Sequence, residues 1–226
     1  LYPLNPVSLI KPSISVIISI YNEEMCIREN INRLVPALDA IGDTWELILV
    51  NDGSTDSTRK IIEGNFGNDK RIRLVSYDYN RGRGYALRKG FSVIRGEYIV
   101  TMESDMNYGT AIVSQLVNKL KNDWCDMVIA SPYLRGGKVE NVPFKRAFLS
   151  RYGNKILSLA TQSDLTTLSG MTRGYKQEVI KSIDLESDGK EVHLEIVSKV
   201  KALGYQIKEI PATLRWEKSQ KRESKR

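Results

Sequence analysis

The strongest constraint on this chain is an alternation that repeats through its first 130 residues: a short β-branched run, a polar loop, then helical apolar spacing. The run ISVIISI at 14–20 leads to YNEE and a helical pattern ending near residue 41. ELILV at 46–50 leads to NDGSTDST, where Thr55 or Asp56 is placed to cap a helix reaching residue 62. Residues 71–77 lead to NRGRGYA and a helix to about residue 94; EYIVTM at 97–102 leads to ESDMN and a helix over 112–120. A fifth strand is expected at 127–130. Strands alternating with helices predict an α/β fold, with a mostly parallel central sheet flanked by helices on both faces. In such sheets ligands bind at the carboxyl ends of the strands, and every polar loop named here falls at one.

The second half reads differently. Phe144, Phe148, Tyr152, Ile156 and Leu159 recur at near-helical spacing, with Lys145, Arg146, Arg151 and Lys155 among them. Two readings stay open: a helix packed on the core, or an amphipathic helical segment at a membrane surface with its basic heads on lipid phosphate. Val192, Ile196 and Val200 mark a further helix, and 206–210 a closing strand before Pro211. From 215 to 226 the row RWEKSQKRESKR holds six basic and two acidic residues, +4 of the net +7. The expected organisation is an extended lead-in over 1–13, one domain over 14–214 and a basic tail over 215–226.

Composition removes several classes. One His and two Cys cannot build the usual four-ligand zinc site or a disulfide framework. They leave the Ser/His/Asp and Cys/His templates without a convincing base, since His193 lies among apolar neighbours. Cys26 and Cys125 are expected as reduced thiols of a cytosolic compartment. No apolar run approaches the ~20 residues of a membrane helix, so the chain as given is expected not to span a membrane.

The candidate chemistry lies in the strand-end loops. Glu103-Ser104-Asp105 sets two carboxylates two residues apart just past a strand, able to converge on an oxygen-preferring cation such as Mg²⁺ or Mn²⁺ with substrate phosphates completing its shell. A solvated loop with a capping Asp is the competing reading. Asp52, after Val50-Asn51, suits an Asx-turn as well as hydrogen bonds from a base or ribose. Tyr21 and Glu23 offer a stacking ring and another acceptor. The loop at 80–86 could cradle phosphate at a helix N-terminus, or its Arg81, Arg83 and Arg88 could form a solvated basic face; its spacing is neither that of a P-loop nor that of a dinucleotide fingerprint.

Taken together and in order, SIYNEE (19–24), VNDGSTDST (50–58), NRGRGYAL (80–87), MESDMN (102–107), ASPYLRGG (130–137), FLSRYGN (148–154) and MTRGYKQEVI (171–180) resemble family 2 glycosyltransferases of the GT-A fold. Within that family the chain looks most like the polyprenyl-phosphate sugar transferases, of the dolichyl-phosphate mannose synthase kind, over roughly residues 14 to 221. The resemblance implies a GT-A, Rossmann-like sheet and an inverting, metal-dependent transfer of a hexose from a nucleotide-sugar, of GDP-mannose or UDP-glucose type, to a polyprenyl (dolichyl) phosphate. By position it implies that Tyr21, Glu23, Val50, Asp52 and Ser104 hold the nucleotide-sugar. It puts Glu103 and Asp105 at the D-x-D carboxylates, with Asn107 beside the metal. Arg215 and Lys221 fall on the donor phosphates, and Arg135 and Arg173 on the acceptor phosphate. Catalysis would rest on Asp105, Glu103 and Arg215. The chain departs from the pattern at Ser19-Ile20 in place of a proline before Tyr21, at Glu103 in place of Asp, at Pro132 in place of Arg, and in the row from Arg215 to Lys221.

The implied partners are a nucleotide-sugar, a polyprenyl phosphate and, through the basic amphipathic segment, the cytoplasmic face of a membrane as a peripheral surface; no nucleic acid is expected. A lipid phosphate is already anionic, so no general base is required. A saccharide hydroxyl acceptor is the rival reading, with Glu191 or Glu195 as its base. A catalytically inactive nucleotide-sugar binding module, or a basic nucleic-acid binder using the tail, would also accommodate these residues.

Overall fold

A computed structural model describes residues 11–160 and 163–216. Residues 1–10, 161–162 and 217–226 lie outside the described residues, and with them Lys221, most of the expected lead-in and most of the basic tail. The first half follows the alternation: β1 (Ile14–Ile20), α1 (Ile27–Asp39), β2 (Trp45–Asp52), α2 (Thr58–Phe66), β3 (Ile72–Tyr77), α3 (Arg83–Phe91), β4 (Tyr98–Glu103), α4 (Ile112–Asn122) and β5 (Met127–Ser131). Then come β6 (Lys138–Glu140), α5 (Phe144–Ala160), β7 (Arg173–Lys176), α6 (Gln177–Ser182), α7 (Val192–Ala202), β8 (Ile207–Pro211) and β9 (Thr213–Arg215). No helix among the described residues is long and apolar enough to cross a membrane.

The main sheet has the order β3-β2-β1-β4-β7-β5-β8. Its pairings are parallel except those of β7, which runs antiparallel between β4 and β5. β6 and β9 form a separate parallel pair. The strand order reverses between β1 and its neighbours β2 and β4, which opens a crevice at their carboxyl ends. Two apolar cores fill the faces. One lies under α1, α2 and α4, where Ile27, Ile31, Leu34 and Leu38 bury one stripe of α1; each such side chain contributes roughly 1.5–3 kcal/mol. The other lies under α3, α6 and α7 and includes Val50, Phe91, Tyr175 and Val192.

Sequence patterning does not announce β7. Its four residues, RGYK, hold no β-branched residue, and Gly174 is small for a reason of packing. A Cβ there would stand 3.0 Å from Leu120 Cδ1 and 3.3 Å from Leu116 Cβ of α4. The helix expected to end at residue 62 runs Thr58–Phe66, and Asp56 Oδ1 accepts from the Thr58 amide at 3.0 Å.

The amino ends of the central strands are tied by one carboxylate. Glu46 is 1% exposed. Its Oε1 accepts from Ser15 Oγ at 2.6 Å and from the Arg95 amide at 2.7 Å; its Oε2 accepts from Arg73 at 3.0 Å and from Arg95 Nε at 2.8 Å. Burial pushes its carboxyl up, but the bonds from Ser15, the Arg95 amide and the two guanidinium groups outweigh it and hold Glu46 below the usual range. A depressed carboxylate stabilises above its unfolded pKa and loses that contribution as pH falls through its folded value. Glu46→Ala leaves the Ser15 hydroxyl and the Arg95 amide without their acceptor, while Arg73 and Arg95 keep access to water, and is expected to cost about 1–3 kcal/mol at pH 7. In urea unfolding the gap between wild type and variant should narrow as the pH is lowered below about 4.

Candidate active site

Three strand ends and three loops meet in a cavity of about 360 Å³. β1 supplies Ser19 and Ile20, with Tyr21 and Glu23 just beyond; β2 supplies Asp52; β4 leads into Glu103, Ser104 and Asp105. Asn80, Gly82 and Arg83 come from the glycine loop, Met171 from the run into β7, and Gly189 and Lys190 from the segment before α7.

The loops after β1 and β2 are laced together. Asn22, at φ 54°, accepts from the Thr55 amide at 2.9 Å, while its own amide donates to Ser54 Oγ at 3.0 Å. The Glu23 amide donates to Thr58 Oγ1 at 2.8 Å, and the Ser57 amide to Glu24 at 2.8 Å. These bonds aim Tyr21 and Glu23 into the cavity. Asp52 is 4% exposed, and its carboxylate is filled by four donors. Tyr77 Oη and the Arg81 amide donate to Oδ1, both at 2.8 Å; Asn80 Nδ2 and the Gly82 amide donate to Oδ2, at 3.0 and 3.1 Å. Burial and the Asp52 bond push the Tyr77 phenol up, so it stays a donor. Asp52 thus folds the glycine loop against the cavity.

The acidic loop after β4 is equally constrained. Asn30 of α1 donates to the Ser104 carbonyl at 2.8 Å, and Ser104 Oγ donates to Glu23 at 3.1 Å. Thr172 Oγ1 donates to Glu103 Oε2 at 2.5 Å. Asp105 Oδ2 accepts from Asn107 Nδ2 at 2.6 Å. Between them Met106 takes φ 54° with its side chain buried in the core, which holds an uncommon backbone conformation in place. Burial pushes the Asp105 carboxyl up to about 6, with the Glu103 and Glu23 carboxylates adding to the rise; the Asn107 amide and Arg83 oppose it.

Among the described residues no three His, Cys, Asp or Glu side chains converge as a ready-made metal site. The loop nevertheless suits a hard divalent cation. Asn107 Oδ1 is buried with no hydrogen-bond partner, and two carboxylates and an amide oxygen are the donor set Mg²⁺ or Mn²⁺ takes when substrate phosphate completes the shell.

The remaining sequence-derived residues are scattered. Val50 has its side chain in the core behind the cavity, against α3. Arg215 pairs with Glu140 at 2.9 Å, while its amide donates to the Asn107 carbonyl at 2.8 Å, so the last strand braces the acidic loop. Arg135 is exposed and does not line the cavity. Arg173 is fully buried, its guanidinium donating to the carbonyls of Leu168 at 2.6 Å and His193 at 2.8 Å. Burial pushes its pKa down. It stands behind the cavity, not in it. His193 is buried, and burial, with Arg173, Arg83 and Lys190 nearby, pushes its imidazole down to about 2, so it is neutral. Glu191 accepts from the Gly189 amide, and Glu195 from the amides of Glu186 and Ser187; neither lines the cavity. Sequence reasoning passed over Thr172, Met171 and Lys190. The first two sit on the unannounced β7 approach, and the third in an S-D-G-K turn that reads as an ordinary loop.

A family model described as Glycosyl transferase family 2 matches residues 15–184. Among similar proteins are an undecaprenyl-phosphate 4-deoxy-4-formamido-L-arabinose transferase of Shewanella sediminis (26% identical, covering 75% of this chain and 50% of that one) and a dolichol-phosphate mannosyltransferase of Pyrococcus furiosus (27%, 88% and 56%). The chain therefore spans about half the length of these relatives. Among solved structures, glucosyl-3-phosphoglycerate synthase from Mycobacterium tuberculosis with Mn²⁺, uridine diphosphate and phosphoglyceric acid superposes with TM-score 0.70 at 21% identity, over 90% of this chain and 69% of that one. The same enzyme with Mg²⁺ and uridine diphosphate gives 0.67 at 24%, over 90% and 70%. The fold is theirs.

The raised Asp105 pKa carries a stability consequence. The folded chain keeps that proton up to about pH 6, whereas an unfolded Asp releases it near ~3.9. The ionised group therefore lowers stability above pH 6, and the loss disappears as pH falls below the unfolded value. Asp105→Asn is expected to raise the unfolding free energy of the cation-free protein by about 1–3 kcal/mol at pH 7. Urea unfolding in chelator would read this gain, which should fade near pH 4.

Proposed function

The chain belongs to glycosyl transferase family 2, and from that premise we propose that it moves a hexose from a nucleotide-sugar to a polyprenyl phosphate, with inversion and with Mg²⁺ or Mn²⁺ on the donor diphosphate. The observation that carries this reading is the acidic loop. Glu103, Asp105 and Asn107 present hard oxygen donors at the carboxyl end of β4, within the charge field of Arg83. The names of the relatives point to the same acceptor chemistry, and solved structures of the fold contain Mn²⁺ or Mg²⁺ with uridine diphosphate.

In this reading Tyr21 and Glu23 receive the nucleoside, while Asp52 shapes the wall beside it. Ser104 positions Glu23 and Val50 packs the wall from behind; Arg215 and Lys221 remain assigned to the donor phosphates by the family resemblance alone. A divalent cation bound by Glu103, Asp105 and Asn107 would stabilise the negative charge that gathers on the leaving diphosphate. An acceptor phosphate oxygen attacks the anomeric carbon as the bond to the diphosphate oxygen breaks, and the nucleoside diphosphate departs with that electron pair. No proton needs removing. The placement of Glu191 and Glu195 on backbone amides supports a phosphate acceptor over a hydroxyl one, because neither carboxylate is offered to the cavity as a base.

The surface supports a peripheral membrane location. α5 is anchored by buried Asn154, whose Oδ1 accepts from the amides of Leu168 and Ser169, and by Leu157 against the second core. Its other side is open. Phe144 is 81% and Ile156 64% exposed, and the rings of Phe144, Phe148 and Tyr152 form a ladder with centroids 6.0 and 4.2 Å apart. With Lys145, Arg146, Arg151 and Lys155 also exposed, this face suits an anionic bilayer interface on the cytoplasmic side.

Transfer is tested in detergent with polyprenyl phosphate, Mg²⁺ or Mn²⁺ and labelled nucleotide-sugars, by counting label that becomes organic-extractable. Label is expected from one donor, with Asp105→Ala lowering the rate about 10²–10³-fold; near-normal turnover of the variant would remove the cation assignment. Nucleotide binding without transfer would favour the inactive binding module. Separately, replacing Phe148 and Ile156 together with Ser should weaken co-sedimentation with phosphatidylserine vesicles by at least about tenfold, given the apolar area withdrawn from the interface. Unchanged vesicle binding would sink the membrane role of α5.

A further inference from the structure

The cavity's charges are arranged on two sides. Glu23, Asp52, Glu103 and Asp105 come from the ends of β1, β2 and β4, with Asp52 already filled by four donors, whereas Arg83 and Lys190 come from α3 and the segment before α7. Both cations lie close enough to buried His193 to push its pKa down, which places them in one neighbourhood. Arg83 also acts on Asp105 and so stands toward the acidic loop. Lys190 is the second cation of the lining, exposed on the segment before α7.

That segment, residues 184–191, is gripped from two directions. From α3, the Gly84 amide donates to the Asp188 carbonyl at 2.7 Å, and Arg88 donates to the Ser187 carbonyl at 2.7 Å, to the Glu186 carbonyl and to the Asp188 carboxylate. A Cβ at Gly84 would stand 2.1 Å from the Ser187 carbonyl oxygen, so the two backbones touch. From α7, Glu195 accepts from the amides of Glu186 and Ser187 at 2.9 Å each. Lys199 holds Glu195 in turn at 2.7 Å. The outcome is a lysine presented to the cavity on a rigid strap.

We propose that Lys190 binds the phosphate of the acceptor, from the wall of the cavity built by the segment before α7. This rests on the transferase reading given above and names a residue that reading lacks. The acidic side of the cavity would repel an anionic acceptor unless a cation faces it. Of the two arginines implied for that task, Arg135 lies outside the cavity and Arg173 is buried behind it. Lys190 lines the cavity, and no carboxylate among the described residues forms an ion pair with it. Its compact ammonium suits a phosphate monoester, to which it offers up to three donors.

The test uses Lys190→Ala and Lys190→Arg in the full chain, with circular dichroism melting to show that both fold. Lys190→Ala is expected to raise the KM for polyprenyl phosphate about tenfold, the scale of one charge-assisted hydrogen bond, with Lys190→Arg recovering much of it. Affinity for UDP and GDP with Mg²⁺, and the donor KM, should stay within about twofold. Direct calorimetric binding of farnesyl phosphate, in the presence of the nucleoside diphosphate and Mg²⁺, should weaken in parallel. Lost nucleoside diphosphate affinity with an unchanged acceptor KM would overturn the proposal by moving Lys190 to the donor. Farnesyl phosphate binding that is absent in the wild type, or equal in wild type and Lys190→Ala, would overturn it outright. Absence of transfer in the wild type is a separate result: it defeats the polyprenyl-phosphate reading, and the binding arm still decides on Lys190.

Discussion

The site depends on one carboxylate that has no spare capacity. Asp52, at the carboxyl end of β2, takes two donors on each oxygen and so pins residues 77–82 against the strand end. Everything on the α3 side of the cavity follows. The pinned loop starts α3 at Arg83, the backbone at Gly84 touches that at Ser187 and Asp188, and the strap they steady carries Lys190. Gly53 belongs to the same arrangement. At φ 63° it has the Tyr79 carbonyl carbon where a Cβ would stand, at 2.2 Å, so the two loops can meet only across a glycine. Without the Asp52 oxygens, four donors in part-buried hydrogen bonds, the Tyr77 phenol, the Asn80 side chain and the Arg81 and Gly82 amides, would lose their acceptor.

The sheet treats its two ends unequally. At the amino ends, Glu46 is buried, saturated with donors and depressed in pKa. At the carboxyl ends, Asp105 is half-buried near Glu103 and is raised. Burial disfavours the charge in both places. What differs is that two guanidinium groups, a backbone amide and a hydroxyl converge on Glu46, whereas a second carboxylate sits next to Asp105. One end of the sheet holds the strands in register; the other stores electrostatic strain that a cation would relieve.

Much of this is legible in the residues. β-branched and apolar runs mark β1, β2, β4 and β5 because burial on both faces demands them, and polar loops after β1, β2 and β4 mark the cavity because a parallel sheet collects them at one end. β7 is not legible: four residues with a central glycine carry no periodicity, and their role is set by the α4 surface they touch. The arginines separate for a similar reason. Arg173 sits in a motif that reads as a site yet its guanidinium serves two carbonyls, while Lys190, in an unremarkable turn, is carried into the cavity partly by contacts from Gly84 and Arg88, about a hundred residues away in sequence. The aromatic stripe at 144–159 fixes a helix. Which side of it faces solvent is decided by Asn154 and Leu157, and spacing alone does not reveal that.

The antiparallel insertion of β7 bears on how the chain is made. β4 and β5 bond to β7 and not to each other, so the β4 edge at Tyr98–Glu103 cannot be completed until Arg173–Lys176 has been synthesised. A ribosome adding ~5–20 residues per second takes several seconds to cover that interval. During it, the nascent chain exposes a strand edge as a template for unwanted pairing. Early closure of β4 against β5 would produce a sheet one strand short, with Thr172 far from Glu103. Fidelity of synthesis for this protein therefore hinges on keeping one hydrogen-bonding edge vacant until its proper partner emerges.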